Sequence, residues 1–471
     1  MTRLCARPRV SALIERKPQF DMAQCRARAC HAMSLCMWTY HPDLLARPVP
    51  RYTSYPTAAQ FGDVVGAADL ASRLDALAED AALSLYVHIP YCHDICWYCG
   101  CNTGAANKAQ RLSAYVDALE REIAMVAARL GGRGRVGRIA FGGGSPNSLP
   151  LVDFIRLLQH ITLCFEAHDA QISVELDPRR LDAQWIEAMA VMGVDRANLG
   201  VQTFTPHVQA RIGRIQPLDM VERAVEGFAR AGVATGFDLM YGLPGQTMDD
   251  LAATLDASIA MAPARIALFG YAHMPRLLPR QRRIDAQDLP DVATRFAMAD
   301  AGHRQLTAAG WQPVGFDHFA RPDDGLAMAV RQGRLRRNFQ GFTDDPADVL
   351  LGFGASAISQ FPDLIVQNEK RAGPWRERIE AGALTASRGT LRSADDRRRG
   401  RVIEALLCWG EAQVGEGLPM PDLRMFEQRG LVHVSAGRLA LTPQALPYAR
   451  SIAACFDAYL QPVEQRFSHA V

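Results

Sequence analysis

The chain has 471 residues, 49% of them hydrophobic and 8% aromatic, enough to bury a large core spread over roughly two to four domains. With 52 Lys+Arg against 50 Asp+Glu, the formal net charge is +2, so no global field draws in nucleic acid or an anionic membrane. No stretch reaches the ~18 uninterrupted apolar residues of a membrane span, and the N-terminus lacks an apolar signal core; a cytoplasmic protein is expected.

Residues 1–36 are Arg-rich, poor in acids and without sustained periodicity. They read as a disordered appendage, as a transit peptide, or as the product of a start assigned too early, with Met37 as the true start. Residues 37–83 form an N-terminal segment containing PRYTSYPTA at 50–58. From residue 84 a rhythm sets in: short β-rich apolar runs, each followed by a Gly, Pro or polar loop and a helical stretch. The runs are SLYVHIP (84–90), GRIAFGGG (137–144), ISVELDP (172–178), RANLGVQTF (196–204), GFDLMYGLP (236–244) and RIALFGYAH (265–273). Segments 111–130 and 151–165 repeat apolar residues every three or four positions, the spacing of amphipathic helices.

Alternating strands and helices imply parallel strands joined by helical crossovers. Six such units across 84–300 predict an α/β fold with a (β/α)6 partial barrel. Its chemistry belongs where the strands end, and the runs finish in His88, Gly142 to Gly144, Glu175, Gln202, Asp238 and Tyr271. Residues 301–384 read as an α/β extension. Residues 385–471 read as a small winged-helix-like domain: an Arg-rich helix, a second helix, a hairpin turning at Ala436-Gly437, and a last helix through CFDAYL (455–460). The run RRRGR (397–401) adjoins Asp395 and Asp396 and is taken as a solvated helical face, with no nucleic-acid role.

Eleven cysteines occur, four of them within residues 92–101. A chain of this length with clustered cysteines does not resemble a disulfide framework; metal binding or catalysis is the better reading. Cys92, Cys96 and Cys99 follow C-x3-C-x2-C, with Cys101 two residues beyond. A closed zinc site wants four ligands, usually as two separated pairs, and is the runner-up. A [4Fe-4S] cluster on the first three thiolates fits better and leaves one iron open to a ligand; Cys101 as the fourth donor would close it into an electron carrier.

C-x3-C-x2-C in the loop after a first strand resembles the signature of the radical S-adenosylmethionine (SAM) enzymes, whose fold is such a partial barrel. That resemblance implies a [4Fe-4S] cluster whose open iron binds SAM, with Gly143, Gly144 and Ser145 of FGGGSP at its methionine end. The segments PRYTSYPTA, SLYVHIPYCHDICWYCGC (84–101), FDLMYGLPGQT (237–247), FDHFARPDD (316–324), RRNFQGFT (336–343) and GFGASAIS (352–359) are similar to the oxygen-independent coproporphyrinogen III oxidases, in the same order. The likeness runs from about residue 40 to the C-terminus.

The resemblance implies oxidative decarboxylation of two propionates of coproporphyrinogen III to vinyl groups, giving protoporphyrinogen IX. Cys92, Cys96, Cys99, Tyr86 and Glu175 form the implied catalytic set. SAM contacts are implied for Tyr86, Glu175, Gln202, Arg214, Asp238, Ala272 and Ile358, with a second SAM possible. Candidate substrate groups, an Arg-bearing rim for propionates and flat faces for the macrocycle, are Arg51, Tyr52, Tyr55, His318, Arg321, Arg337 and Asn338. A low-potential donor of the flavodoxin or ferredoxin kind and a monomeric state complete the expectation. The alternatives are a related haem chaperone, which usually has an aromatic residue in place of Cys101 and lacks PRYTSYPTA, and an anaerobic haem-degrading relative.

Overall fold

The computed structural model describes residues 38–460, so the readings made for residues 1–36 lie outside the described residues. Six strands come in chain order: β1 Ala82–Ile89, β2 Arg135–Gly143, β3 Gln171–Leu176, β4 Val194–Gln202, β5 Ala234–Tyr241 and β6 Arg265–Gly270. Each pairs in parallel with the next. A helix follows each one: α1 Ala109–Leu130, α2 Leu151–Phe165, α3 Ala183–Val191, α4 Leu218–Arg230, α5 Met248–Met261 and α6 Val292–Ala308. Because spatial order equals sequence order and the sheet stays open, the six units make the expected partial barrel.

The strands read as near-continuous apolar runs because both faces are covered. In β1 only Ala82 and Tyr86 are not buried. Helix α1 buries Leu112, Tyr115, Val116, Leu119, Ile123, Val126 and Leu130 on one stripe, and Gly131 at φ +57° ends it with its N–H on the Ala127 carbonyl.

Six further strands extend the sheet. β7 Gln312–Val314 and β8 His318–Ala320 add antiparallel beside β6. β9 Val349–Phe353 lies parallel to β1 on the other side, followed by antiparallel β10 Ile358–Gln360, β11 Leu364–Asn368 and β12 Ala386–Leu391. The order across the sheet is β12-β11-β10-β9-β1-β2-β3-β4-β5-β6-β8-β7. The sheet therefore runs past residue 384, where the sequence reading began the C-terminal domain. ASRGTL carries no apolar strand signal because a polar stretch is what an edge strand carries.

Beyond it come helix α7 Ala394–Trp409, a short strand Glu411–Gln413, helix Arg424–Glu427 and the hairpin Val432–Ser435 with Arg438–Leu441, in winged-helix-like order. The hairpin turns at Ala436 (φ +49°) and Gly437 (φ +76°), the left-handed pair a two-residue turn requires. The expected last helix is shorter than read: it spans Ala449–Ala453 with one 3-10 turn to Phe456. At Asp457 the chain turns away, because that carboxylate accepts the Tyr52 hydroxyl and the Tyr459 N–H, each at 2.9 Å. Arg398 and Arg399 of the RRRGR run pair with Asp395, and Arg399 also donates to the Phe456 carbonyl, which gives the run a structural use.

Trp38, Leu44, Leu45, Tyr52 and Tyr55 share one core with Phe296 of α6, Leu406 and Leu407 of α7, and Ile452. The N-terminal segment is thus fastened across the barrel by the C-terminal elements. Among the described residues, no helix is long and apolar enough to cross a membrane.

The extension is tied to the barrel by one buried carboxylate. Glu122 of α1 accepts from Gly354 N (2.7 Å), Asn368 Nδ2 (3.0 Å), Trp375 Nε1 (3.1 Å) and the Thr385 hydroxyl. Burial pushes its carboxyl up to about 7, yet every neighbour is a donor. Glu122→Gln puts an N–H2 among four donors. Loss of about 3 kcal/mol of stability is expected in urea or thermal unfolding followed by circular dichroism, with cluster loading at low temperature retained.

Candidate active site

β1 delivers the chain into the cysteine loop, which a two-residue bridge of Tyr91–Cys92 with Gly104–Ala105 closes. Three outside groups fix its shape: Ile212 O accepts from Trp97 N (2.9 Å), Gln281 Nε2 donates to Tyr98 O (2.8 Å), and Arg280 donates to the Thr103 hydroxyl (2.8 Å). Cys96 is buried, Cys92 and Cys99 are half-buried, and Cys101 is exposed.

All four thiols face one cavity of about 510 Å³ at the C-terminal end of the strands. Its wall includes Gly143, Gly144 and Ser145 after β2, Glu175 and Asp177 after β3, Gln202 on β4, Arg214, Asp238 on β5, and Tyr271 and Ala272 after β6. Parallel strands all end at the same edge, which is why residues scattered over 180 positions converge here.

The donor set suits a polynuclear iron–sulfur group. Arg214 Nη1 donates to Cys96 Sγ at 3.3 Å, Arg179 Nη2 to the same sulfur at 3.5 Å, and Cys101 N to Cys99 Sγ at 3.4 Å. A hydrogen bond from the Cys101 thiol lowers the Cys99 thiol to about 6 against the effect of burial. Burial and the neighbouring Cys99 and Cys96 push Cys92 up to about 12, so a positively charged group is needed to hold the three as thiolates together.

Glycine is required where β2 meets the cysteine loop. Gly143 lies at φ +106°, and a Cβ there would stand 2.4 Å from the His88 ring. At Gly144 a Cβ would stand 2.4 Å from the Tyr91 carbonyl oxygen. Gly144 N donates to Ile89 O and Ser145 N to Tyr91 O, both at 2.8 Å. The Ser145 hydroxyl pairs with Asn147 and accepts from Asp177 N at 3.2 Å, so it braces the loop after β3.

Glu175 and Asp238 open into the cavity but are walled by protein. Desolvation and the charge of Asp238 push the Glu175 carboxyl up to about 7, and desolvation brings Asp238 to about 6. Burial works against ionisation of Asp177, yet Arg214 and Arg179 hold its carboxyl below the ordinary value. Arg214 spends its fork inside the protein, on Cys96, Gly200 O, Gln216 and Asp177, and so braces the cysteine loop. Gln202 sits at φ +66°, a strained conformation concentrated at sites.

A family model for the radical SAM superfamily matches residues 86–257. The chain is 42% identical to the oxygen-independent coproporphyrinogen III oxidase of Bradyrhizobium diazoefficiens over 437 residues, 90% of this chain and 97% of that protein. The chain belongs to the oxygen-independent coproporphyrinogen III oxidase family. It is also 37% identical to the oxidase of Pseudomonas aeruginosa, over 90% of this chain and 96% of that one. The solved coproporphyrinogen III oxidase of Escherichia coli, a radical SAM enzyme, superposes with a TM-score of 0.83 at 34% identity, covering 90% of this chain and all of that one.

Within this oxidase fold the remaining candidates divide. Tyr86 stands beside the wall: its hydroxyl pairs with His88 Nδ1 at 3.1 Å and lies near enough to Glu175 and Cys101 to feel their charge, while Ile358 sits across Gly352, the partner of Tyr86 in the β1–β9 pairing. Arg51 does reach the cavity, with Nη2 on Gly270 O at 3.1 Å and its guanidinium 5.2 Å over the Phe269 ring.

The other substrate candidates stand elsewhere. Tyr52 and Tyr55 are buried in the N- and C-terminal core, their hydroxyls spent on Asp457 and the Ala458 N–H. Asn338 caps its own turn by accepting from Gln340 N. Arg337 donates to the backbone carbonyls of Tyr52 and Arg51, each at 3.0 Å, so it holds Arg51 in place without reaching the cavity. Arg321 is at the opposite end of the barrel: it follows β8, which runs antiparallel to β6, and its N–H bonds to Ala264 just before β6 begins. His318 lies outside the cavity wall, bonded to Asp317 at 2.7 Å and edge-on to Phe269 and Phe342. Asp177, Asn198, Arg280 and Gln281 line the cavity and were not anticipated; only Asp177, at the end of a strand run, carried a positional signal.

Proposed function

We propose that this chain oxidatively decarboxylates coproporphyrinogen III to protoporphyrinogen IX without oxygen. The observation that carries the reading is the meeting of three thiols, a glycine edge and two strand-end carboxylates in one cavity of a coproporphyrinogen oxidase fold. A [4Fe-4S] cluster on Cys92, Cys96 and Cys99, when bound, supplies the electron that cleaves SAM into methionine and a 5′-deoxyadenosyl radical.

A radical is what the substrate demands. The propionate Cβ–H is unactivated, beyond groups titrating near neutrality. Each propionate gives up a hydrogen atom from Cβ to the deoxyadenosyl radical, which becomes 5′-deoxyadenosine; the substrate radical then loses CO2 and passes one electron to a one-electron acceptor, and a vinyl group remains. The chain's own residues position and shield. Gly143 and Gly144 let the edge of β2 pack against His88 and Tyr91 and so present its backbone to SAM on the cavity wall, Glu175 and Asp238 accept from the SAM ammonium or ribose hydroxyls, and Arg214 holds Cys96. Arg51 offers a cation to a propionate at the wall.

The donor we assign to the low-potential flavodoxin or ferredoxin class. In support, Arg283 lies 5.8 Å over the Trp97 ring of the cysteine loop, beside exposed Arg282, a basic rim for an acidic partner. We assign a monomer in the cytoplasm; the seven cysteines among the described residues are all free of disulfides, which suits a reducing compartment.

Anaerobic incubation with coproporphyrinogen III, SAM and a strong reductant tests the reading. CO2 and methionine released with protoporphyrinogen formation support it; stable haem binding without turnover, or consumption of haem, supports the chaperone or the haem-degrading alternative.

Because donors on SAM need ionised carboxylates, SAM affinity should tighten about tenfold between pH 5.5 and 8 as Asp238 and Glu175 lose protons near 6 and 7. Both values are raised in the fold, so the stability they contribute to ligand-free protein is present at acid pH and lost as pH climbs through 6 to 7. Calorimetric SAM titration and thermal melts across that range check both signs.

A further inference from the structure

Behind the main cavity lies a second chamber of about 50 Å³, sharing Arg51 and Gly270 as a common wall. Its other boundaries come from every part of the chain: Trp38, Tyr241 of β5, His303 of α6, Asp317, and Arg450. It has room for a few water-sized groups, hence for a carboxylate and its methylene, and none for a pyrrole ring.

Among the described residues, cations outnumber carboxylates on its walls. Arg51 and Arg450 line the chamber, and Asp317 is the one carboxylate lining it among the described residues. Arg337 and Arg295 stand close enough that each is affected by Arg51. Burial, with Arg51 beside it, pulls the Arg450 guanidinium down to about 9, the mark of cations crowded out of water. Inside the ring of aromatic walls, His303 is 4% exposed and its Nε2 has no hydrogen-bond partner. Arg337 Nη1 and Arg295 Nε are likewise buried and unpartnered. Buried donors without acceptors, here Arg337 Nη1 and Arg295 Nε, are costly unless an anion reaches them.

We propose that this chamber is a carboxylate socket: one propionate of the macrocycle held in the main cavity passes Arg51 and ends between Arg51 and Arg450. The inference rests on the reading of the substrate given above. The socket fixes how far the ring enters, and with it which propionate is presented to the cysteine-loop end of the cavity. Arg51 and Arg450 are positioning residues, since they hold an arm that is not the one reacting.

The test uses the full chain, loaded anaerobically, with coproporphyrin III and its tetramethyl ester as redox-stable fluorescent probes. Wild type binds the acid more tightly than the ester. Arg51→Gln and Arg450→Gln are expected to weaken the acid at least tenfold and the ester less than twofold, while Arg450→Lys stays within threefold for both. Equal losses for acid and ester, or no loss for either, overturn the socket. If Arg450→Gln fails to fold in thermal melts, Ala299→Leu, which fills the chamber and leaves Arg51 on the main cavity wall, decides: lost preference for the acid supports the socket, and retained preference removes it. Wild type that makes protoporphyrinogen while the variants keep the acid preference removes the socket and leaves the proposed function standing.

Discussion

Alanine at Cys92, Cys96 or Cys99 is expected to abolish turnover and SAM cleavage together, by at least about a thousandfold, while Cys101→Ala still loads iron. The three thiols of the first group share one pinned loop and one cavity wall, and each is a separate anchor for the same inorganic group. Cys101 is exposed, and part of what it gives Cys99 is a backbone N–H that alanine retains. Its side-chain hydrogen bond is lost, so the Cys99 thiol should move back up from about 6 and loading should weaken at lower pH. Iron and sulfide per chain, with methionine release under reducing conditions, separate the two classes. Equal loss of iron in Cys101→Ala would make it a fourth ligand and close the site.

The second large effect is expected from Gly144→Ala, a single methyl. Its Cβ would lie 2.4 Å from Tyr91 O and 2.7 Å from Tyr91 N, both backbone atoms, so no side chain can swing aside. The peptide before Cys92 must move, and the Ser145 N to Tyr91 O bond with it. A displacement of that order costs about a hundredfold in catalysis when it reaches the reacting geometry. Gly373→Ala serves as the control, because nothing lies within 4 Å of the added methyl. kcat/KM for SAM cleavage measures both; a fully active Gly144→Ala would contradict the close packing of glycine edge and cysteine loop.

The range of each interaction decides whether it could be read in the residues. Strands buried on both faces show as apolar runs, so β1 through β6 were found within a few residues of their ends. The cysteine spacing is local and needed no fold to interpret. Long-range pairings were invisible. Tyr52 and Tyr55 look like ligand groups in PRYTSYPTA, yet their hydroxyls answer to Asp457 and Ala458, some 400 positions away. Arg214 stands among the implied SAM contacts, yet nothing local shows that Cys96, Asp177 and Gly200 already take its donors. Arg321 was misplaced because an antiparallel strand delivers the residue after it to the other end of the barrel. The inner chamber, built from residues 38 to 450, had no local signature at all.

The most direct measurement is the electron paramagnetic resonance spectrum of the reduced, iron-loaded chain, with and without SAM carrying a 17O-labelled carboxylate. Three protein thiolates and one open iron predict that SAM reshapes the signal and that the label broadens it. A spectrum indifferent to SAM, from iron held by all four of Cys92, Cys96, Cys99 and Cys101, would contradict that account.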